Sequence, residues 1–348
     1  MSFHVSQLKK QYGHYLYGLP AAPVMKNYIY DIYGRAKSII EPVYLRNQSD
    51  RTKAVLAVVV VCFFWGTTWL ASKKGVQYMP ALQLAGIRQF LAGSFFLGYF
   101  FIKGFKLPTR DQFIQFGWMS LLMIVINNGF STWSMKYIPS GLGAVIGAAS
   151  PLWIAILSTF VFKETKLNAM TIIGLLLGIS GILIIFSDYL QDLFNTNFSV
   201  GIVLNLIASV TWAFGTIFTV KNAKHVNPYF SLGWQMFLGG IVLLLVAWFS
   251  GQYTPLHSTG AEVWYSILYL VFVGSIITYS AFVYALKRLP AQQVSVYAYI
   301  NPIVAVIVGA LLNSEKLTII IAAGTIVTIL GIYLVNTGFK RKAKMDNE

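Results

Sequence analysis

From Ala54 onward the chain alternates between long apolar runs and short polar breaks. Each run holds about 20 residues, the length that crosses the ~30 Å hydrocarbon core of a bilayer as an α-helix. A helix is the expected form because lipid offers no partner to an unpaired backbone group, and the pattern lacks the alternating segments typical of a membrane barrel. The runs predict ten spans: 54–72, 83–102, 113–134, 141–162, 168–187, 199–219, 230–250, 263–286, 291–312 and 317–336.

One block of sequence occurs twice along this pattern. Residues 137–167 and 288–317 each hold a first proline, a second proline twelve residues later within an apolar run, and a glutamate thirteen residues beyond it. Three matches at a constant offset of 151 residues indicate an internal duplication. The matched pairs are Pro139 and Pro290, Pro151 and Pro302, and Glu164 and Glu315.

The duplication covers all ten spans. Further pairs match at offsets of 147 and 150 residues: Trp65 and Trp212, Gly93 and Gly240, Gly174 and Gly324, and Gly181 and Gly331. Each unit has five spans, an odd number, so the second unit starts on the opposite face of the membrane. The prediction is an all-α polytopic membrane protein with two inverted five-helix repeats, 54–187 and 199–336. Inverted repeats are typical of secondary transporters that alternate access around a site at the midplane.

Composition agrees with a membrane protein, since 57% of residues are hydrophobic, 11% are charged and the mean hydropathy is +0.66. About a quarter of an ordinary soluble chain is charged. The net charge of +15 does not indicate a nucleic-acid partner, because the basic residues lie between apolar runs and at the two ends. Of the 26 Lys and Arg residues, 21 fall on the side of the N-terminus, four fall on the other side and Arg88 lies within a span. This bias predicts that both termini are cytoplasmic.

Two basic tails flank the repeats, at residues 1–53 and 337–348. The N-terminal tail lacks the apolar core of a signal peptide. Two interpretations are open: a cytoplasmic tail with a helix near residues 25–40 on anionic headgroups, or a disordered extension, in which case Met25 is one possible true start. The C-terminal tail is predicted to be cytoplasmic.

The repeated block also carries a family resemblance. LPAQQVSVYAYINPIVAVIVGALLNSEKL closely resembles, and PSGLGAVIGAASPLWIAILSTFVFKETKL more loosely resembles, the EamA-like permeases of the drug/metabolite transporter superfamily. The resemblance covers residues 54–336. It implies a ten-helix exporter or facilitator of small metabolites, such as amino acids or drugs, in the cytoplasmic (inner) membrane. The expected partners are a small-molecule substrate and the lipid bilayer, and we expect a monomer.

The two mid-span prolines are candidate hinges. Each proline ring removes one helical hydrogen bond and crowds the carbonyl four residues earlier. Pro151 and Pro302 are therefore predicted to kink their helices at the same depth in both halves. A break at symmetric positions points to a transport site, and a static kink accommodated by packing is the alternative.

Polar residues at helical spacing predict the lining of a cavity. In the sixth span five such residues share one face, and Trp65 lies on its counterpart in the first span; because a polar face toward lipid is costly, both faces are expected to point inward. Hydroxyls that join helices are the alternative for the smaller residues. The sixth-span residues are Asn205, Ser209, Trp212, Thr216 and Thr219.

Carboxamides and aromatic residues extend this candidate site. Asn127 and Asn128 require partners at mid-membrane depth, either a substrate or a neighbouring helix. Tyr279 lies in the matching eighth span. In the ninth span Gln292 and Tyr299 are predicted to face the cavity, whereas Tyr297 and Asn301 are predicted to point elsewhere.

Arg88 is the one charge well inside a span, where it costs at least ~3 kcal/mol. It is predicted either to snorkel to the interface or to bind an anionic group, and its counterpart is the neutral Gln235. No acidic residue lies mid-span, which argues against a carboxylate proton carrier. The two matched glutamates are predicted to be structural, at span ends beside lysines.

Several function classes find no support in the sequence. No phosphate-binding loop, metal-ligand spacing or catalytic cluster is present, so neither an enzyme nor a cofactor is predicted. The prediction is a secondary transporter with alternating access. The alternatives are a scaffold or sensor that does not transport, and a nucleotide-sugar carrier, for which mid-span lysines that would hold phosphates are missing.

Overall fold

A computed structural model gives the fold and describes residues 50–162, 168–222, 226–289, 294 and 296–345. The secondary structure of these residues is helical, and we number its ten long helices in chain order. Their bounds are α1 Asp50–Gly75, α2 Ala81–Ile102, α3 Arg110–Ser134, α4 Ser140–Val161, α5 Ala169–Ser187, α6 Thr196–Asn222, α7 Pro228–Phe249, α8 Ala261–Leu286, α9 Tyr297–Asn313 and α10 Ile319–Met345.

The prediction of ten helical spans is confirmed, since each span overlaps one helix. Among the described residues nine helices are long and apolar enough to cross a membrane, and α9 is shorter. The predicted ninth span begins at residue 291, but residues 290–293 and 295 lie outside the described residues. So does the segment 1–49, including the helix predicted near residues 25–40.

The outer surface of the bundle is apolar. Large side chains point away from the core, with Phe249 82%, Ile102 81% and Leu311 76% exposed. A soluble monomer rarely exposes a contiguous apolar surface of this extent. The helices therefore face lipid, and the chain is a multi-pass membrane protein.

Short polar motifs fix where several helices begin. Thr109 and Gln112 form a capping box at the start of α3, and the Asn168 side chain accepts a hydrogen bond from the Thr171 backbone at the start of α5. Asn227 caps α7 in the same way, and Pro228 follows it. A side-chain acceptor satisfies one of the amides that a helix start leaves unpaired.

Two helix pairs join the repeats through glycines, and we call α2–α7 and α5–α10 the scaffold pairs. In α5–α10 a Cβ atom added at Gly331 would lie 2.2 Å from the backbone nitrogen of Gly178. In α2–α7 a Cβ at Gly93 would lie 2.3 Å from the Phe237 nitrogen, and one at its match Gly240 would lie 2.4 Å from the Phe90 nitrogen. The contact made by one repeat is thus made again by the other, as a two-fold axis between the repeats requires.

The helices between the scaffold pairs are less regular. Leu121–Asn128 in α3 and Tyr269–Ile277 in α8 are π-helical. These segments lie about 148 residues apart, close to the repeat offset, so they hold equivalent places in the two repeats. Short π-helical segments are rare and often mark functional sites.

The two prolines lie in different helical contexts. The first part of α4 ends at Ala148, and a new helical segment begins at Ser150 with Pro151 in its first turn. Pro302 instead lies inside α9, which is continuous from Tyr297 to Asn313. Hinges at both prolines stay a prediction, since a helix that is continuous through a proline can still be kinked there. Pro151 lies in the first turn of its segment, where the amide has no helical partner to lose, whereas Pro302 removes the bond to the Ala298 carbonyl without ending α9.

Glu315 joins the two repeats at the end of the bundle where α4 begins. Its carboxylate accepts hydrogen bonds from the Ser140 backbone at 2.9 Å, the Ser140 hydroxyl at 2.9 Å and the Gly141 backbone at 3.1 Å. Pro139 occupies the cap position of α4 and has no side-chain acceptor, so the acceptor comes from the other repeat. The adjacent Lys316 pairs with Asp188 at 3.3 Å. Glu164 lies outside the described residues.

Candidate functional site

A cavity of about 150 Å³ lies between the two repeats. Helices from both repeats form its wall: α1, α2, α3 and α4 from the first, and α6, α8 and α9 from the second. Six of the nine residues predicted to bind substrate lie on this wall. They are Trp65, Arg88, Asn127, Asn128, Trp212 and Tyr279.

An aromatic cluster centred on Trp65 forms one side of the cavity. Its ring centroid lies 4.9 Å from that of Tyr279 and 5.1 Å from that of Tyr297, and both contacts are edge-on. The indole N–H donates to the Gly274 carbonyl at 3.2 Å, and Gly274 lies in the π-helical segment of α8. The protein itself therefore satisfies this polar group, so Trp65 presents a rigid, mostly apolar surface to a solute.

Arg88 is the charged residue of the wall. Only 5% of the residue is exposed, and its Nε donates to the Ser275 hydroxyl at 2.9 Å. Tyr279 lies nearby, and no carboxylate of the described residues pairs with the guanidinium. The snorkelling interpretation of Arg88 is wrong, because the side chain is buried within the bundle and contacts the π-helical segment of α8. Burial of an unpaired cation is costly, so a partner is expected.

The carboxamides face Arg88 from other helices, and only part of their hydrogen-bonding capacity is used. Asn127 Nδ2 donates to the Ala208 carbonyl of α6 at 2.8 Å, and Asn205 Nδ2 donates to the Gly143 carbonyl of α4 at 2.8 Å. Three buried oxygens on the wall accept or donate no hydrogen bond within the described part of the chain. They are Asn128 Oδ1, Asn205 Oδ1 and Ser209 Oγ.

The two π-helical segments place these groups. Asn127 and Asn128 are the last two residues of the segment in α3, and Ser275 is near the end of the segment in α8. A wider turn pairs each amide with a carbonyl five residues back, which shifts the side chains that follow around the helix and leaves carbonyls open to other donors. The sequence carries no evident signal for these segments, since their residues are ordinary helix or strand formers.

Two predicted site residues lie away from the cavity, and a third is not described. The Thr216 hydroxyl donates to the Trp212 carbonyl of its own helix at 2.8 Å, which satisfies it without a solute. The Tyr299 hydroxyl accepts a hydrogen bond from Asn336 of α10 at 2.5 Å, so this side chain joins α9 to a scaffold pair. Gln292 lies outside the described residues.

The sequence assigned α9 to the wrong face. Tyr297 and Asn301, predicted to point elsewhere, lie on the cavity wall. Within α9, Tyr297 and Asn301 are four residues apart, so they share the helical face that lines the cavity. Asn301 is also held in place, because its amide nitrogen, in the orientation that satisfies it, donates to the Cys62 carbonyl at 2.6 Å.

Trp69 is a further wall residue, on the same inward face of α1 as Trp65. Its ring covers Gly143 and Gly147, where added Cβ atoms would lie 3.2 Å and 2.8 Å from ring carbons. The atoms nearest to the two glycines belong to side chains, Met135 and Trp69 at Gly143 and Trp69 at Gly147, rather than to another backbone. The spacing of four residues between Trp65 and Trp69 places both rings on one face of α1, which was the signal available.

Comparison with known proteins gives a consistent result. The model of the EamA-like transporter family matches residues 52–187 and 199–337. The "Uncharacterized inner membrane transporter YedA" of Escherichia coli K12 is 30% identical over 285 residues, which is 81% of this chain and 90% of that protein. The "Uncharacterized transporter YoaV" of Bacillus subtilis is 27% identical over 293 residues, 83% of this chain and 99% of that protein.

One relative has a more specific name. The "Probable amino-acid metabolite efflux pump" of Escherichia coli K12 is 30% identical over 307 residues, 84% of this chain and 98% of that protein. A solved crystal structure at 15% identity has a TM-score of 0.59 and covers 82% of this chain and 97% of its own. At that identity the likeness concerns the fold alone.

Proposed function

The chain belongs to the EamA-like transporter family, and on this premise we propose that it is a secondary transporter that moves a small metabolite by alternating access of the cavity between its repeats. The family and the names of the relatives indicate a membrane transporter rather than an enzyme. The observation that carries the mechanism is a polar wall with a buried cation, built by seven helices from both repeats at the interface between them.

Alternating access needs an interface that can close at one end of the cavity and open at the other. At the end where α4 begins, a close contact supports the closed arrangement: a Cβ at Gly141 would lie 2.9 Å from the Val306 side chain of α9, and the Glu315 carboxylate caps α4. Lys73 of α1 donates to the Ile138 carbonyl at 2.9 Å at the same end. From the placement of Lys and Arg we propose that this end is extracellular.

The proposal also includes the bounds of the repeats, the location of the tails and the oligomeric state. The repeats are residues 54–187 and 199–336, and the basic tails 1–53 and 337–348 are cytoplasmic, in an inner membrane like that of the relative YedA. The cavity lies within one chain, so a monomer suffices for transport.

The cavity volume favours a small metabolite. An apolar cavity of about 150 Å³ takes up benzene, a molecule of about six non-hydrogen atoms, and the cavity here has about that volume. A nucleotide sugar or a typical drug is several times larger. Arg88 is the one cation on the described wall, and a diphosphate needs more positive charge than one arginine supplies. An amino acid or a metabolite of similar size fits best, consistent with the name of one relative.

The test is flux into proteoliposomes that contain the purified protein. We expect uptake or counterflow of a small amino acid, and a reduction of at least tenfold in Trp212→Ala and Asn128→Ala with unchanged yield of folded protein. Each change removes a wall side chain whose loss leaves the scaffold pairs intact. Thr216→Val is the matched control, since this hydroxyl bonds only its own helix among the described residues.

Two outcomes would contradict the proposal. Normal flux in both wall variants would show that the substrate does not pass through this cavity. Absence of flux for every metabolite of a broad panel, with folded protein, would favour the scaffold or sensor alternative.

A further inference from the structure

A second cavity lies on the outer face of the bundle, between α1 and α9, and we call it the outer groove. Its volume is about 490 Å³, and the described residues that line it are apolar. Three of them are well exposed, with Val59 57%, Phe63 50% and Val55 46% exposed. The outer groove shares no described wall residue with the cavity between the repeats, so the two are separate sites.

The outer groove spans about one leaflet of a membrane. On α1 it extends from Val55 to Phe63, and on α9 from Val296 to Val304. Eight steps along a helix cover about 12 Å, close to half of the ~30 Å hydrocarbon core. Beyond this depth the two helices meet, because a Cβ at Gly66 would lie 2.6 Å from the Val304 Cβ. The groove therefore matches the depth of one acyl chain and is too short for a second transmembrane helix.

Two arginines lie at the end of the outer groove where α1 begins. Arg51 is exposed and precedes Val55 by four residues, so both lie on the same face of α1. At the end of α8, Arg288 directly precedes the groove residue Leu289. The start of α1 and the end of α8 pack in one buried cluster, which brings the two arginines to the same end of the groove.

This end of the groove carries a net positive charge. Two lysines, Lys53 and Lys287, lie within two residues of groove residues, and Asp50 is the described acidic residue in the first turn of α1. With Arg51 and Arg288, four positive charges and one negative charge leave a net charge of +3. This end is opposite the one proposed to be extracellular, so it meets the cytoplasmic leaflet, where anionic lipids concentrate.

We propose that the outer groove binds one acyl chain of an anionic phospholipid, and that Arg51 and Arg288 hold the lipid phosphate. A guanidinium binds phosphate oxygens through two parallel hydrogen bonds. The Arg288 guanidinium lies 3.7 Å from the centre of the Tyr284 ring, and this stacking orients its planar N–H groups.

A lipid in the outer groove covers the outer side of the contact between α1 and α9. The inner side of that contact belongs to the cavity wall, through Trp65 of the first repeat and Asn301 of the second. The lipid therefore stabilises a contact between the repeats from the side opposite to the solute. This inference goes beyond the proposed transport function and does not depend on it.

The experiment measures lipid retention by native mass spectrometry of the purified full-length protein. The probes are phosphatidylglycerol and phosphatidylcholine with identical oleoyl chains, which differ in the charge of the headgroup. We expect one phosphatidylglycerol to be retained at least about fivefold more tightly than phosphatidylcholine, the gain expected from one arginine near an anionic headgroup. Phosphatidylglycerol should also raise the melting temperature more than phosphatidylcholine does.

Two variants locate the bound lipid. Arg51→Gln combined with Arg288→Gln should lower the retention of phosphatidylglycerol to that of phosphatidylcholine and leave phosphatidylcholine unchanged. Val59→Trp fills the groove with an indole ring, so it should lower the retention of both lipids.

Each variant has a matched control. Lys106→Gln combined with Arg110→Gln removes two exposed charges between α2 and α3, at the same end of the bundle but not adjacent to a groove residue. Val203→Trp adds the same bulk to α6, at a residue that is 53% exposed. Both controls should retain the two lipids as the wild type does.

Three results would overturn the proposal: equal retention of both lipids by the wild type, an equal loss of phosphatidylglycerol in the control for the arginines, or unchanged retention in Val59→Trp. A dimer mass without lipid would also overturn it, because a second copy of the chain would then cover the groove. The comparison of the two lipids on wild-type protein needs no variant, so it decides the question even if a variant does not fold.

Discussion

The scaffold pairs and the cavity helices are both built from apolar helices, but the scaffold pairs are closely packed and several of the cavity helices are irregular. In α2–α7 and α5–α10 glycines bring two backbones into contact, and each contact occurs twice because the repeats match. Among the helices of the cavity wall, α3 and α8 contain π-helical segments and α4 contains a break. Close backbone packing resists change, whereas irregular helices have hydrogen bonds that can rearrange.

The difference assigns separate tasks to the two regions. In the proposed mechanism the scaffold pairs hold the repeats together whatever the state of the cavity, and the irregular helices supply the movement that alternating access requires. The polar residues of the wall are also divided between the two regions. Of the wall residues only Arg88 lies on a scaffold helix, so the cation of the wall is fixed to the rigid part of the molecule.

The largest effect is expected from Gly331→Ala in the α5–α10 pair. The added Cβ would lie 2.2 Å from the Gly178 nitrogen, and backbone atoms cannot move aside cheaply, so we expect little folded protein in fluorescence-detected size-exclusion chromatography. Gly98→Ala in α2 is the control, because no atom lies within 4 Å of its Cβ. There alanine should stabilise the helix by up to about 1 kcal/mol. Normal folding of Gly331→Ala would show that close backbone packing does not set the scaffold pairs apart from the cavity helices.

An intermediate effect is expected from Glu315→Ala, which removes the cap that one repeat gives to α4 of the other. The change leaves the Ser140 and Gly141 amides without their acceptor at a cost of roughly 1–3 kcal/mol. If that end must open and close during transport, flux should change several-fold more than the melting temperature implies. Parallel measurement of flux and melting checks this.

Lys316→Ala is the control for the glutamate, since its Nζ is paired 3.3 Å from Asp188 and its side chain is half exposed. An exposed pair contributes little to stability. If both variants lose flux and stability in the same proportion, the Glu315 cap is a fixed part of the fold and takes no part in the closure of that end.

The smallest effects are expected from the two prolines, and they should differ. Pro151→Ala restores an N–H next to the break between Ala148 and Ser150, which should favour a continuous α4 and reduce flux a few-fold. Pro302→Ala lies in a helix that is already continuous, so it should raise the melting temperature and leave flux within twofold. Equal losses of flux in the two variants would support the symmetric hinge that the sequence predicts.

The sequence was sufficient for the features that depend on periodicity. The ten spans and the matched glycines follow from the length and spacing of apolar runs, and Trp65, Asn205 and Trp212 reached the wall because α1 and α6 are regular helices there. Spacing becomes a poor guide where a helix is irregular. In α9 the spacing from Gln292 predicted Tyr299 on the wall, whereas Tyr297 and Asn301 lie there.

Other features depend on contacts between residues far apart in the chain. The partner of Glu315 is the start of α4, 175 residues away, so the sequence could indicate a structural role at a span end but not the contact that supplies it. Arg88 was undecided for the same reason, because its burial depends on helices of the other repeat. The π-helical segments were missed because their side chains differ little from those of an ordinary membrane helix.

The unequal pair Arg88 and Gln235 has a consequence for how such a cavity could arise. Two identical five-helix chains that assemble as a symmetric dimer would carry an arginine at both positions or at neither. With an arginine at both positions, two cations beside one small cavity repel each other strongly, because the effective dielectric constant is low there. With an arginine at neither position, a substrate carboxylate has no partner. Fusion of the two halves into one polypeptide lets each copy mutate alone. A single positive charge in a nearly symmetric molecule is available only to a fused chain.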